Sequence, residues 1–139
     1  MRTTTRGLYA LKSLLALAAN ASAEKPVPLH RLAEGEGISS EFLQQIFFKM
    51  RKAGLVAAYR GPGGGFYLAK APEDITIQDI LVAAGETLTI SPCSPLILSS
   101  DCNEHECEKL KDCKASKFWL ELQQEISNFT ESRRLSDFL

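Results

Sequence analysis

Residues 39–69, SSEFLQQIFFKMRKAGLVAAYRGPGGGFYLA, decide the fold. Apolar side chains recur at helical spacing in the first part, which predicts a helix over about residues 40–53. The second part predicts two strands, 55–59 and 65–69. The residues between them, Arg60-Gly-Pro-Gly-Gly-Gly65, offer almost no side chains that could pack in a core. A two-residue turn is enough for a hairpin, so four glycines and a proline suggest a tip that approaches another surface.

The residues before this stretch predict two further helices, over 4–20 and about 29–35. A glycine break at 35–37 separates the second of these from the helix of the opening stretch, which Ser39 can cap. Two short helices joined by a glycine turn, the second presenting Ser, Gln and Lys outward, are typical of a helix-turn-helix. The hairpin that follows is then a wing. A tip whose one charge is Arg60 suits a phosphate backbone or a minor groove.

The residues after the wing predict a capped helix and a long amphipathic helix. Thr76-Ile-Gln-Asp79 resembles a capping box and opens a helix that ends near Gly85. From about Cys113 to Ser132, apolar positions again recur at helical spacing. No element follows on which this helix could pack. It could fold back on its own domain, but the expected arrangement buries its stripe against a second chain, and residues 133–139 are expected to fray. The predicted dimer-interface residues are Phe118, Trp119, Leu122, Ile126 and Phe129.

The cysteines lie together between these two helices, with the spacing C-x8-C-x4-C-x5-C. Structural zinc sites usually have two to four residues between paired cysteines, and only Cys102 and Cys107, with four between them, come that close. The looser spacing favours an iron–sulfur cluster. A thiol switch is the remaining alternative, although the acidic neighbours of the cysteines disfavour thiolates. His105 lies in the same segment and is more typical of a solvated loop histidine.

Charge and composition narrow the class of protein. The net charge is −1, but residues 1–70 carry an excess of Lys and Arg and residues 71–139 an excess of Asp and Glu. A basic first half suggests a polyanion partner for that half. No apolar run approaches the ~20 residues of a membrane span, and no signal-peptide pattern is visible, so a cytoplasmic protein is expected. The sequence offers no clear C-x-x-C or Cys–His pair for a redox enzyme, so no enzyme is expected.

Several motifs together resemble the Rrf-type winged-helix transcription regulators, the group of IscR, NsrR and RirA. The resemblance covers nearly the whole chain and implies a mostly α fold with a small β-wing: a winged helix-turn-helix domain plus a long C-terminal dimerisation helix. The motifs are Tyr9-Ala-Leu11, Pro26-Val-Pro-Leu29, Gly37-Ile-Ser39, Arg51-Lys-Ala-Gly-Leu-Val56 and Arg60-Gly-Pro-Gly-Gly-Gly65.

The resemblance also implies partners and a cofactor. The expected protein is a homodimer on a palindromic double-stranded DNA operator. Its operator affinity is expected to depend on an iron–sulfur cluster, [2Fe-2S] or [4Fe-4S], that senses redox state, nitric oxide or iron and cluster status. A cluster-free thiol-redox regulator and a zinc-stabilised winged-helix regulator are the alternatives.

Cluster ligands are implied by the same resemblance. Relatives take a fourth ligand from an acid in the first helix or from a histidine after the last cysteine. Here those places hold Leu8 and Ser116. Cys102 is therefore predicted to complete the set, with His105 as its alternative. The predicted metal ligands are Cys93, Cys102, Cys107 and Cys113.

The predicted DNA contacts come from the second helix of the helix-turn-helix, the wing and the chain start. Ser40, Gln44 and Gln45 are expected to meet bases, because a glutamine can bond adenine through two hydrogen bonds. Phe48 lies near the same side and is expected either to pack under the wing or to touch a thymine methyl. Arg60 is expected to enter the flanking minor groove. The full set is Arg2, Ser39, Ser40, Gln44, Gln45, Lys49, Arg60, Gly61, Pro62 and Gly63, with Arg2 and Lys49 on phosphates.

Four segments follow from these expectations. Residues 1–72 form a winged helix-turn-helix DNA-binding domain, and residues 73–90 a connecting helix. Residues 91–113 form a cysteine cluster-binding loop, and residues 114–139 a dimerisation helix and tail.

Overall fold

The computed structural model describes residues 3–90 and 113–139. Within this part of the chain, five α-helices and a two-stranded antiparallel sheet surround one hydrophobic core. The predicted helix-turn-helix, wing, connecting helix and C-terminal helix are all confirmed. The elements are α1 (Thr5–Asn20), α2 (Leu29–Glu36), α3 (Ser40–Lys52), β1 (Val56–Tyr59), β2 (Gly65–Leu68), α4 (Ile77–Ala83) and α5 (Ser116–Ser132), with 3-10 turns at Pro72–Asp74 and Leu135–Phe138.

The helix-turn-helix forms because a left-handed glycine and a serine cap meet at one turn. Gly37 ends α2 with φ 67°, and its N–H donates to the carbonyls of the last turn. Ile38 then turns into the core, where it is 6% exposed. The Ser39 side chain accepts a hydrogen bond from Phe42 N at 3.2 Å, which caps α3 as the sequence predicted. Opposite its exposed face, α3 buries Leu43, Ile46, Phe47 and Met50.

The wing is attached to the chain segment before α2. Strands β1 and β2 pair from Val56 with Leu68 to Tyr59 with Gly65. Val27 adds an isolated bridge, since its N–H donates to Phe66 O at 2.9 Å and its carbonyl accepts from Phe66 N at 2.8 Å. The prolines on either side of Val27 cannot donate main-chain hydrogen bonds, so this third strand stops after one residue.

The wing glycines serve two different purposes. Gly61 and Gly63 have positive φ, which side chains rarely adopt. Gly64 and Gly65 are needed for close packing inside the chain. A Cβ on Gly65 would collide with the Val27 main chain, and one on Gly64 with the Tyr59 carbonyl. Gly65 therefore reflects the bridge to Val27, and Gly64 the tight turn of the hairpin itself, so neither is required by an approach of the tip to another surface.

Helix α4 starts at the predicted capping box. The Thr76 hydroxyl accepts from Asp79 N at 2.9 Å, and the Asp79 carboxylate accepts from Thr76 N at 3.0 Å. Gly85 has φ 85° and follows the last turn of the helix. Just after it, Glu86 Oε1 accepts from Gly7 N at 2.9 Å and from Thr4 N at 3.0 Å. The carboxylate of Glu86 therefore caps α1, which has no acidic residue in its own first turn.

The expectation that residues 133–139 fray is wrong. Leu135 is fully buried and belongs to the same core cluster as the residues of α1 and α3. Its N–H donates to Ile75 O at 2.9 Å, and Ile77 N donates to Arg133 O at 2.9 Å. This antiparallel bridge pairs Thr76 with Arg134 and attaches the C-terminal end of α5 to the start of α4. A leucine side chain in the core, which local sequence could not reveal, is the physical reason.

Candidate nucleic-acid interface and cysteine-loop attachments

The outer face of α3 is polar, apart from one aromatic side chain. Ser40, Gln44 and Gln45 are exposed, as predicted for base-reading residues. Phe48 lies four residues after Gln44 on the same face and is 69% exposed. The interpretation that Phe48 packs under the wing is therefore wrong, and the thymine-methyl contact stays as its prediction. Ser39 is exposed as well, with its hydroxyl already used in the cap of α3.

The wing tip adds a second exposed surface beside α3. Arg60, Gly61, Pro62 and Gly63 are all exposed, so the predicted tip is accessible to a partner. Tyr59 immediately precedes them and is 59% exposed, which the sequence analysis missed. The signal was available, because Tyr59 pairs with Gly65 at the loop end of the hairpin, and glycine has no side chain to cover an aromatic ring.

Two cations lie beside the C-terminal turn of α4. A Cβ built on Gly85 would lie 3.4 Å from Lys49 Nζ and 3.9 Å from Arg6 Nη1. The negative end of the α4 dipole favours both positions. Lys49, predicted to hold a phosphate, is half-buried here. Arg6 was not predicted, although a cation in the first turn of α1 opposes the helix dipole and so indicates another role. Arg2 lies outside the described residues.

Helix α5 presents its apolar side to solvent. Phe118 is 58% exposed, Trp119 38% and Phe129 57%, while Leu122 and Ile126 are half-buried. Phe118 and Trp119 contact each other edge to face with ring centroids 5.1 Å apart. The opposite side, which faces the rest of the chain, is polar and consists of Ser116, Gln123, Ser127 and Thr130.

Polar side chains hold this inner side of α5 to α4 and to the residues after it. The Thr130 hydroxyl donates to Gln78 Oε1 at 2.8 Å, and Gln78 Nε2 donates to Glu131 Oε1 at 3.0 Å. Further along, Gln123 Nε2 donates to Leu88 O at 2.6 Å. Among the described residues, Phe118 and Phe129 of the predicted apolar stripe therefore stay exposed, and hydrogen bonds hold the opposite side of α5.

The described residues include one predicted metal ligand. Cys113 is half-buried and precedes α5, and its carbonyl accepts from the Ser116 hydroxyl at 2.6 Å. The other predicted ligands, Cys93, Cys102 and Cys107, lie outside the described residues, as does His105. Within residues 3–90 and 113–139, no group of three His, Cys, Asp or Glu residues could hold a metal ion.

These features define a class of protein. A helix-turn-helix with an exposed polar helix, an exposed wing tip and clustered cations at one helix end is a DNA-binding winged-helix transcription regulator. The chain belongs to the Rrf2 family, described as iron-dependent transcriptional regulators, whose family profile matches residues 3–139.

Curated relatives and solved structures agree with this assignment. The chain is 34% identical over 139 residues to the HTH-type transcriptional regulator IscR of Aliivibrio salmonicida, covering all of this chain and 77% of that protein. The same identity and coverage of this chain are found with IscR of Erwinia tasmaniensis, of which 79% is covered. These relatives are transcriptional regulators and not enzymes, as the sequence predicted.

CymR and an IscR are among the solved structures that share the fold. CymR, the global cysteine regulator of B. subtilis, has a TM-score of 0.77 at 26% identity, with 99% of this chain and 95% of CymR covered. IscR of T. potens has a TM-score of 0.75 at 28% identity, with 99% of this chain and 85% of that chain covered. In the described part of this chain, no helix is long and apolar enough to cross a membrane.

Proposed function

We propose that this regulator is a cytoplasmic homodimer that binds a palindromic DNA operator with an affinity set by an iron–sulfur cluster on Cys93, Cys102, Cys107 and Cys113. The observation that carries the proposal is the placement of α5. The helix begins three residues after Cys113 and leaves its aromatic side uncovered. The cysteine segment thus leads directly into the surface that suits a second copy.

The donor chemistry fits a cluster. Four cysteine thiolates are a complete ligand set for [2Fe-2S] or [4Fe-4S], and Cys113 keeps its thiol half-buried at the start of a helix. Leu8 is 58% exposed and has no donor atom, so α1 offers no ligand at that position. When bound, a cluster supplies sensitivity to oxygen, nitric oxide and iron supply. The 34% identity to IscR over the whole chain supports the same assignment.

The proposal assigns one role to each of four segments of the chain. Residues 1–72 bind DNA, residues 73–90 connect, residues 91–113 hold the cluster, and residues 114–139 dimerise. In this scheme α3 enters the major groove with Ser40, Gln44 and Gln45, and Arg60 reaches the adjacent minor groove. Two such modules would read half-sites about 34 Å apart, one helical turn of DNA.

The cofactor is tested by iron and acid-labile sulfide quantification on anaerobically purified protein, together with its visible spectrum. Equimolar iron and sulfide, lost when each cysteine is replaced in turn by serine, are expected. Colourless protein without iron that retains full DNA binding would refute the cluster. Zinc in place of iron would support the zinc-stabilised alternative. Metal-free protein whose DNA binding responds to oxidation would support the thiol-redox alternative.

DNA binding is tested by the salt dependence of a gel shift on the promoter of the protein's own gene. Each phosphate contact contributes about −0.9 to the slope of log K against log salt. Replacing Lys49 by Ala is expected to reduce the magnitude of this slope by about one. Lys12→Ala is the matched control, because the Lys12 ammonium lies 3.5 Å from the Glu36 carboxylate and bridges α1 to α2.

The dimer is tested by comparing two phenylalanines of similar exposure. Phe129 lies on the proposed interface and is 57% exposed, whereas Phe138 lies in the C-terminal 3-10 turn and is 54% exposed. Phe129→Ala is expected to weaken the dimer in sedimentation or light-scattering experiments at low micromolar concentration. Phe138→Ala is expected to leave it unchanged. Wild-type protein that is monomeric at all concentrations would refute the proposed assembly.

A further inference from the structure

The main-chain segment Leu88–Ile90 leads from the α1 cap at Glu86 toward Cys93, and one buried side chain holds it. Gln123 is fully buried near the middle of α5. Its Nε2 donates to Leu88 O at 2.6 Å, and its Oε1 accepts from Ile90 N at 2.9 Å. The amide thus bonds residues two apart along the segment, as a neighbouring strand would.

Packing alone does not call for an amide at this position. A buried amide is costly unless both of its ends are hydrogen-bonded, and a methionine or leucine of similar volume avoids that cost. The other buried residues of α5 are short hydroxyl side chains, Ser116, Ser127 and Thr130. Gln123 is therefore the one long side chain among the buried residues of α5, and its amide hydrogen-bonds to main-chain atoms 33 and 35 residues away in sequence.

The other end of the cysteine segment is attached to the same helix. The Ser116 hydroxyl donates to Cys113 O at 2.6 Å, and Ser116 N donates to the same carbonyl at 3.2 Å. Gln123 follows Ser116 by seven positions in α5, which places the two residues about 10 Å apart along the helix axis. Cys93 follows Ile90 by three residues in the sequence.

We propose that Gln123 is a positioning residue, whose amide fixes the main chain at Leu88–Ile90 so that the chain enters and leaves the cysteine segment at fixed points on one helix. This rests on the proposed cluster function. Fixing both approaches in advance lowers the entropy lost when four thiols converge on one ligand. Outer partners that orient ligands typically change metal affinity 10–100-fold, and an effect of about tenfold is expected here.

The test replaces Gln123 by Leu and, as a second apolar variant of similar volume, by Met. Gln124→Leu is the matched control, because Gln124 is the exposed neighbour, and its Nε2 donates to Asn128 Oδ1 at 2.8 Å. The first measurement is hydrogen–deuterium exchange of metal-free protein. The Ile90 amide is expected to be protected in the wild type and in Gln124→Leu, and to exchange at least about tenfold faster in both Gln123 variants.

The second measurement is the rate at which visible absorbance and iron are lost to a chelator under anaerobic conditions. Both Gln123 variants are expected to lose iron about tenfold faster than the wild type while α5 keeps its exchange protection. An Ile90 amide equally protected in all variants would overturn the proposal. Unchanged iron loss despite faster Ile90 exchange, or loss of α5 protection together with the iron, would also overturn it.

The iron content of the wild-type protein distinguishes failure of the proposed cluster function from failure of the positioning proposal. If wild-type protein holds no iron, the proposed function fails, and alkylation of the thiols becomes the second readout. The positioning proposal then requires that Cys93 and Cys113 react at altered rates in the Gln123 variants and at wild-type rates in Gln124→Leu. Equal rates in all variants would overturn it independently.

Discussion

Replacing Leu135 by Ala tests whether the C-terminal turn is part of the core. Leu135 has no solvent exposure and lies in the same cluster as Leu14, Phe47 and Ile80. The 3-10 turn that carries Leu135 packs against the 3-10 turn Pro72–Asp74. Because the side chain is removed and the main chain is kept, the bond from Leu135 N to Ile75 O at 2.9 Å should persist.

The size of the effect follows from this burial. Leucine-to-alanine changes in a core cost about 2–5 kcal/mol, depending on how far the site collapses. The residues after Leu135 are half-buried or exposed, so the site can partly collapse, and the lower part of the range, about 2–3 kcal/mol, is expected. For a chain of this length, each kcal/mol lowers the melting temperature by about 3–5 °C. The expected decrease is therefore about 6–15 °C.

The assays are thermal and urea unfolding followed by circular dichroism, at several protein concentrations because dimers gain stability by mass action. Leu139→Ala is the matched control, since Leu139 is 58% exposed and an exposed change should stay within about 0.5 kcal/mol. A loss below about 0.5 kcal/mol for Leu135→Ala would show that the tail is not anchored. An equal loss in both variants would show that the tail contributes only general apolar surface.

Three further predictions concern the wing, the α1 cap and the recognition helix. Gly65→Ala should lower both DNA affinity and stability, because its Cβ would meet the Val27 main chain under the wing. A Cβ on Gly35 would have no atom within 4 Å, so Gly35→Ala should stabilise the protein by about 0.5–1 kcal/mol in thermal melts. Gly7→Ala should destabilise the wild type, because its Cβ would meet the Glu86 side chain. In a double-mutant cycle, much of this loss in the free energy of unfolding should disappear in a Glu86→Ala background. Fully additive effects of the two substitutions would contradict the contact. Replacing operator thymines by uracil should weaken wild-type DNA binding about fourfold, because one lost methyl contact is worth about 0.8 kcal/mol. The DNA affinity of Phe48→Ala should not change on the same replacement. Equal losses of affinity in both proteins would refute the methyl contact.

Much of the fold could be predicted because its signals are local. The Ser39 cap, the capping box at Thr76 and the apolar spacing of α3 each depend on residues within one or two turns. The same holds for the exposed wing tip at Arg60–Gly63, where glycine and proline leave nothing to bury. Such features follow from propensity and periodicity without knowledge of the tertiary structure.

The missed features are contacts between distant parts of the chain. Glu86 caps α1 from 79 and 82 residues away, and Leu135 enters the core from what looked like a free tail. Gln123 has no local signal either, because an isolated glutamine on a helix is usually a surface residue. The apolar positions along α5 were predicted from their helical spacing. That the polar face of α5 packs against the rest of the chain was not, because its partners Gln78 and Leu88 are distant in sequence.

The polar inner face of α5 also limits how this helix can move. An apolar interface tolerates small sliding, because dispersion contacts are numerous and non-directional. Hydrogen bonds weaken steeply with distance and angle, so Gln123 with Leu88 and Thr130 with Gln78 hold in one register only. A displacement of α5 by a fraction of a turn would break both sets at once, and the next arrangement would need new partners. The helix is therefore expected to move between discrete hydrogen-bonded positions rather than through a continuous range.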